Sequence, residues 1–155
     1  MKQIILFLSA LLLLSLTGVS QEITPDKVPA QVKQTFTKMF PSAAEVKYGM
    51  EKKNFMISFK DQEAEKSAGF SSTGRWLETQ TKISESDIPK KVMKVVNKTF
   101  KGYSLSDVAT IESPSVEISY KMNVKNDNLG YEVQFGPKGN LMKKTPLKKE
   151  KAEKK

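Results

Sequence analysis

The sequence predicts an α+β fold made of two tandem units. Each unit is a helix followed by about four antiparallel strands, with the helices on one face of the sheet and the other face open. Three observations predict it. A short motif recurs at an offset of 60 residues, Val28-Pro29-Ala30-Gln31-Val32 against Ile88-Pro89-Lys90-Lys91-Val92. After each copy the apolar period changes from that of a helix to that of a strand. Each unit then closes on a hairpin with Gly at the same place, Gly74 and Gly139, at an offset of 65.

Residues 1–20 stand apart from this pattern. Lys2 precedes a mainly apolar run of 13 residues, Ile4 to Leu16. At about 1.5 Å per helical residue that run is too short to cross a bilayer comfortably. Gly18-Val19-Ser20 puts small residues at the −3 and −1 positions of a cleavage point before Gln21. This order reads as a secretory signal peptide, removed near Ser20/Gln21, and places the mature chain in the periplasm or outside the cell. No later apolar run is long enough to span a membrane, so no transmembrane segment is expected after cleavage.

The first helix is expected from Val28 onward, with Val28, Val32, Phe36, Met39 and Phe40 on one stripe. The second carries Ile88, Val92, Val95, Val96 and Phe100. Spacing of i, i+4, i+8 faces one side of a helix. Pro29 and Pro89 stand where a helix tolerates proline, in its first turn. Asp26 and Asp87 are nearby acidic residues, and Pro41 and Gly102 end the two helices by different means.

Strands follow each helix. Phe55, Ile57 and Phe59 alternate in the first unit, followed by Ala68 and Phe70. Val116, Ile118, Tyr120, Met122 and Val124 alternate in the second, followed by Tyr131, Val133 and Phe135. Shorter strand candidates are Glu45–Tyr48 and Asp107–Ile111. Polar residues out of phase (Glu117, Ser119, Lys121, Asn123, Glu132, Gln134) put the second sheet face in water. The expected domain is 21–142, with repeats of about 26–82 and 86–142. A Lys-rich tail, 143–155, is expected to be disordered.

A leading (V/I)-P-x-x-V helix ending in an aromatic, Val28 to Phe40, resembles that of the small exported PepSY-like proteins. The hairpin Phe70 to Glu78, of the form F-x-x-x-G-(K/R)-W-L-E, is similar to theirs as well. The resemblance covers about 28–142 and implies a sheet like that of β-lactamase inhibitor protein. It also implies a periplasmic or outer-surface location in Bacteroidetes-type bacteria and no catalytic site. Inhibition of a β-lactamase does not follow, because fold does not fix function.

The chain has 26 Lys+Arg, 17 Asp+Glu, no His and no Cys, for a net charge of +9. Losing Lys2 with the signal leaves +8, and the tail 143–155, with seven Lys and two Glu, accounts for +5 of it. Lys143, Lys144, Lys148, Lys149, Lys151, Lys154 and Lys155 could therefore attach the tail to an anionic membrane or polyanion. Nucleic acid is not expected as a partner, since the tail has neither Arg nor an aromatic to stack on bases.

Without His or Cys there is no imidazole base, no thiolate and no Cys/His metal site. The carboxylate groups Asp61/Glu63/Glu65 and Glu85/Asp87 lack the spacing of a calcium loop and any sign of a cleft. We therefore expect no enzyme, no metal and no cofactor. The expected function is an exported binding module whose open sheet face holds a protein, peptide or envelope component. Its candidate residues are Trp76, Glu78, Met56, Ser58, Lys121 and Gln134. The position of Trp76 depends on loop length. A two-residue turn at Thr73-Gly74 sends it to the open face, and a five-residue loop pairs it with Phe70 on the core side.

Overall fold

Proline sets the start of both helices. In the computed structural model, which describes residues 21–147, Pro29 and Pro89 are the N-caps of α1 (Ala30–Met39) and α2 (Lys90–Thr99). Each is preceded by a single 3-10 turn, Pro25–Lys27 or Glu85–Asp87. Asp87 is occupied in that turn: its carboxylate accepts the Ser84 amide at 3.0 Å, and the Ser84 hydroxyl accepts the Ser86 amide at 3.1 Å. Phe40 and Phe100 close the helices alike, each donating its amide to the carbonyl four residues back at 2.8 Å. The buried stripes are Val28, Val32, Phe36 and Ile88, Val92, Val96, Phe100.

Nine antiparallel strands form one sheet in chain order. β1 (Gln21–Glu22) is followed, after α1, by β2 (Ala43–Glu51), β3 (Asn54–Asp61), β4 (Ala64–Phe70) and β5 (Trp76–Lys82). After α2 come β6 (Ser104–Ser113), β7 (Val116–Lys125), β8 (Gly130–Phe135) and β9 (Leu141–Pro146). The two halves are joined edge to edge where β5 pairs β6, from Thr79↔Glu112 to Lys82↔Ala109. Beneath this single sheet lie two apolar clusters. One gathers Val28, Val32, Phe36, Phe55, Ile57, Phe59, Ala68 and Phe70. The other gathers Ile88, Val92, Val96, Phe100, Val108, Tyr120, Met122, Val124, Val133 and Phe135.

Irregularities recur at matching places. Glu45 and Asp107 both have φ of 52°, and both lie where the register slips, between Ala44 and Lys47 and between Ser106 and Ala109. An extra residue in one strand of a pair bends it and breaks the ladder locally. The closing loops also match. Ser71–Arg75 and Gly136–Asn140 each carry two internal amide-to-carbonyl bonds of 2.9 Å. Gly74 and Gly139 have φ of 80° and 86°. A Cβ on Gly74 would lie 2.7 Å from the Gln31 carbonyl oxygen, and one on Gly139 would lie 3.2 Å from that of Lys91. Gln31 and Lys91 are partners in the sequence repeat, so each hairpin loop rests on the first turn of its own helix.

One expectation needs correction. The tail does not begin at residue 143, because β9 runs to Pro146 and pairs β8 through Gln134↔Lys143, Val133↔Lys144 and Glu132↔Thr145. Backbone pairing to an existing strand needs no apolar side chain, and composition alone missed it. The charge division moves with that boundary: residues 21–147 hold 20 Lys+Arg against 15 Asp+Glu, or +5, and 148–155 only +3. Residues 1–20, Lys148, Lys149, Lys151, Lys154 and Lys155 lie outside the described residues.

The glycines separate two costs. Gly102 has φ of 81° but open space where a Cβ would go. Gly102→Ala should therefore lose about 1 kcal/mol, the left-handed penalty alone. Gly74→Ala should lose roughly 2 kcal/mol more, since its methyl must displace helix backbone. Urea unfolding measures both, and equal losses would show that the loop does not need its close approach to α1.

Candidate functional site

The helices cover one face of the sheet. The strand registers define what stands on the other. One row crosses three strands as Met56↔Gly69↔Glu78. The next runs Ser58↔Ser67↔Gln80↔Ile111↔Ser119 across β3 to β7. A third runs Lys82↔Ala109↔Lys121↔Gln134↔Lys143 across β5 to β9. Among the candidate residues, Glu78, Met56, Ser58, Lys121 and Gln134 all belong to this face.

Trp76 does not. The β4–β5 loop has five residues, and a bulge after Gly69 sets Phe70 opposite Trp76. Phe70 is fully buried, so its cross-strand partner faces the helices as well. The indole is half-buried against the first apolar cluster, and its Nε1 donates to Thr79 Oγ1 at 2.9 Å. Residues three apart on β5 meet on one side because the bulge absorbs one of them. Trp76 is thus a packing residue, and the exposed alternative is set aside.

The open face is tied together by side chains. Lys121 Nζ donates to Gln80 Oε1 at 2.5 Å, and Gln80 Nε2 donates to Glu78 Oε1 at 2.8 Å. Glu132 Oε2 stands 3.8 Å from the same ammonium. Gln134 Nε2 donates to Ser119 Oγ at 2.7 Å, and Ser119 Oγ donates in turn to the Ile111 carbonyl at 3.3 Å. Ile111, Ala109 and Ser119 are buried on this face although no helix lies over them. Asn123, also buried, donates to Asp107 at 2.7 Å. Toward β3 the face is shallower. Met56 Sδ and Glu78 Cγ lie 3.2 and 3.6 Å from where Gly69 would carry a Cβ, and Ser58 is exposed.

Gln80, Ser119 and Ile111 were not among the candidates. Ile111 gave no signal, because the Asp107 bulge resets the phase of β6. Alternation alone puts Ser119 on this face, and Gln80 beside Glu78; what it does not show is that they meet Lys121 and Gln134.

Three further ion pairs stand on the sheet. Asp61 accepts Lys66 at 2.7 Å, Glu45 accepts Lys60 at 2.7 Å and Glu65 accepts Lys82 at 2.8 Å. The hydrogen bond from Lys82, helped by its charge, holds the Glu65 carboxyl below its ordinary range. The bond to Glu45 likewise holds the Lys60 ammonium above its own. Among the described residues no group of three Asp or Glu is placed to hold a metal ion, and no helix is long and apolar enough to cross a membrane. Lys144 is spent on packing, its Nζ 4.0 Å from the Tyr131 ring centre and 5.5 Å from that of Phe100. It is not a free tail charge.

A family model described as "Putative beta-lactamase-inhibitor-like, PepSY-like" matches residues 53–143, more than half of the chain. The chain belongs to the PepSY-like family. Solved structures share its fold. A BLIP-like protein from Bacteroides fragilis is 17% identical over 80% of this chain and 90% of its own, with a TM-score of 0.69. A DUF2874 family protein from Bacteroides uniformis is 20% identical over 76% and 88%, with a TM-score of 0.71. A Bacteroides eggerthii structure described as "putative periplasmic proteins" is 20% identical over 77% and 88%, with a TM-score of 0.70. No curated protein matches the chain. At these identities the structural likeness of this PepSY-like chain establishes fold alone.

Two outcomes test the placement of side chains. Trp76→Ala should cost roughly 2–3 kcal/mol, below the ~3–5 of a fully buried Trp, and should move the urea midpoint. A midpoint unchanged by the substitution would put the indole back in solvent. Lys82→Ala should return the Glu65 carboxyl to its ordinary range in a carbonyl NMR titration. Folding depresses this pKa, so the pair's contribution is present above the unfolded-state value and is lost as pH falls through the folded-state value. An unchanged Glu65 titration would mean that the bond to Lys82 does not form.

Proposed function

We propose that this PepSY-like chain is an exported, non-catalytic binding module that holds a protein or peptide of the cell envelope on the open face of its sheet. The observation that carries the reading is the network Glu78–Gln80–Lys121, with Gln134–Ser119 beside it, on a face that no other element among the described residues covers. Side chains already fixed by mutual hydrogen bonds lose little further entropy when a partner adds to them. Met56 supplies partly exposed apolar surface beside that polar row. The likeness to a BLIP-like protein supports the inhibitor-like manner of binding, by analogy of fold.

Two further parts belong to the same reading. The two halves are copies of one unit, supported by the matched helices, bulges, loops and glycines. Residues 1–20 are a signal peptide, cleaved so that Gln21 opens the mature chain, and the ordered domain is 21–147. The likeness to a structure described as periplasmic supports the location.

The test is capture from envelope extract with the chain from Gln21 onward. Lys121→Ala with Gln134→Ala should reduce capture of the retained species on the order of 10-fold or more, as loss of central interface residues does. The far-ultraviolet circular dichroism should stay unchanged. A correctly folded double variant that captures the same species as well as the parent would refute the reading.

A further inference from the structure

Positive charge in the described fold is most concentrated along α2. Lys90, Lys91, Lys94 and Lys98 are exposed along α2, and exposed Lys101 follows its C-cap. The helix itself has no acidic residue. These five equal the whole +5 excess of residues 21–147, so the rest of that segment is neutral, with 15 basic and 15 acidic groups. With 3.6 residues per turn, the four helical lysines fall within an arc of roughly 100° opposite the buried stripe. Among the described residues none of the five has an ion-pair partner, whereas four lysines of the sheet, Lys60, Lys66, Lys82 and Lys121, have one.

Helix stability does not explain this arrangement. Lys90 and Lys91 occupy the first turn, where the helix dipole favours anions. Lys90/Lys94 and Lys94/Lys98 are like charges four apart, which repel. Packing does not explain it either. At an offset of 60, α1 carries Ala30, Gln31 and Gln34 where α2 carries Lys90, Lys91 and Lys94, and α1 packs in the same way. Glu85 and Asp87 stand before the helix, and Asp87 is engaged by Ser84.

We propose that the lysine face of α2 is an electrostatic docking surface for a bilayer rich in anionic phospholipid. Charge complementarity selects an anionic occupant. A broad convex arc with no groove fits a plane. The arc has Lys and Asn97 but no Arg for bidentate phosphate readout and no aromatic for base stacking, which disfavours nucleic acid. Nothing apolar projects from it to insert, so attachment is reversible by salt. A protein lying on α2 turns the opposite side of the sheet away from the lipid, which leaves the open face accessible. The site as proposed includes none of the C-terminal lysines.

The test is sedimentation with vesicles of phosphatidylcholine and phosphatidylglycerol in equal parts, using the chain from Gln21 onward, which holds every described element. The parent should bind at low salt and be released at high salt. Lys90→Gln/Lys94→Gln/Lys98→Gln should weaken partitioning on the order of 100-fold, from the known gain per basic residue near an anionic surface. Its thermal midpoint should equal or exceed the parent's, because the substitutions remove repulsion. Lys94→Glu alone should weaken binding too, giving a second variant at minimal structural change. A charge-matched control, Lys52→Gln/Lys53→Gln/Lys125→Gln, should stay within a few-fold of the parent. Equal loss in the control would reduce the effect to net charge and overturn the site. So would full binding by the α2 variant, abolition of binding by deleting 148–155 alone, or binding of soluble polyphosphate without binding of vesicles.

Discussion

The β5–β6 ladder is the constraint on which the rest of the molecule depends. Each half has its own helix and its own apolar cluster, and neither cluster reaches into the other. The two are made one body by the pairing from Thr79↔Glu112 to Lys82↔Ala109. With no Cys in the chain, that pairing has no covalent support. It is reinforced on the open face, where Lys121 of β7 reaches over β6 to Gln80 of β5, 41 residues away in sequence. The small Ala109 beneath it leaves room for that reach. The network proposed to bind a partner is thus also a clasp across the seam between halves.

The two layers divide the chemistry of the molecule. The sheet carries charges of both signs, four pairs of them in contact, with hydrogen-bonded amides and hydroxyls between them. The helix layer carries unpaired lysines concentrated on α2. Such a division follows from how each layer is built. A strand face brings side chains from neighbouring strands to about 5 Å, so opposite charges and amides find one another. The outer arc of a short helix has neighbours only along its own axis, and α2 offers those lysines no carboxylate.

Much of this was legible in the sequence, for a physical reason in each case. The stripe Val28, Val32, Phe36 and its copy from Ile88 fixed both helices, because burial on one side demands that spacing. Alternation from Val116 to Val124 fixed β7 in the same way. What was not legible depended on residues that break a period. The five-residue loop and its bulge decided Trp76, and nothing in Thr73-Gly74 distinguishes that loop from a tight turn. The left-handed Asp107 reset β6 and hid Ile111. β9 was hidden because its order comes from backbone pairing with β8, which leaves little trace in side-chain composition.

The composition of β9 has its own consequence. An open sheet of nine strands ends in two rows of unsatisfied amides and carbonyls, and such rows recruit strands from other molecules. At one end β1 screens β2 only at Gly49 and Met50. At the other, the terminal strand carries Lys143, Lys144 and then Pro146, which has no amide hydrogen to offer. Like charges on two approaching copies repel, and proline interrupts the ladder they would need. The lysines that look like the start of a tail therefore guard the sheet against edge-to-edge growth into fibrils.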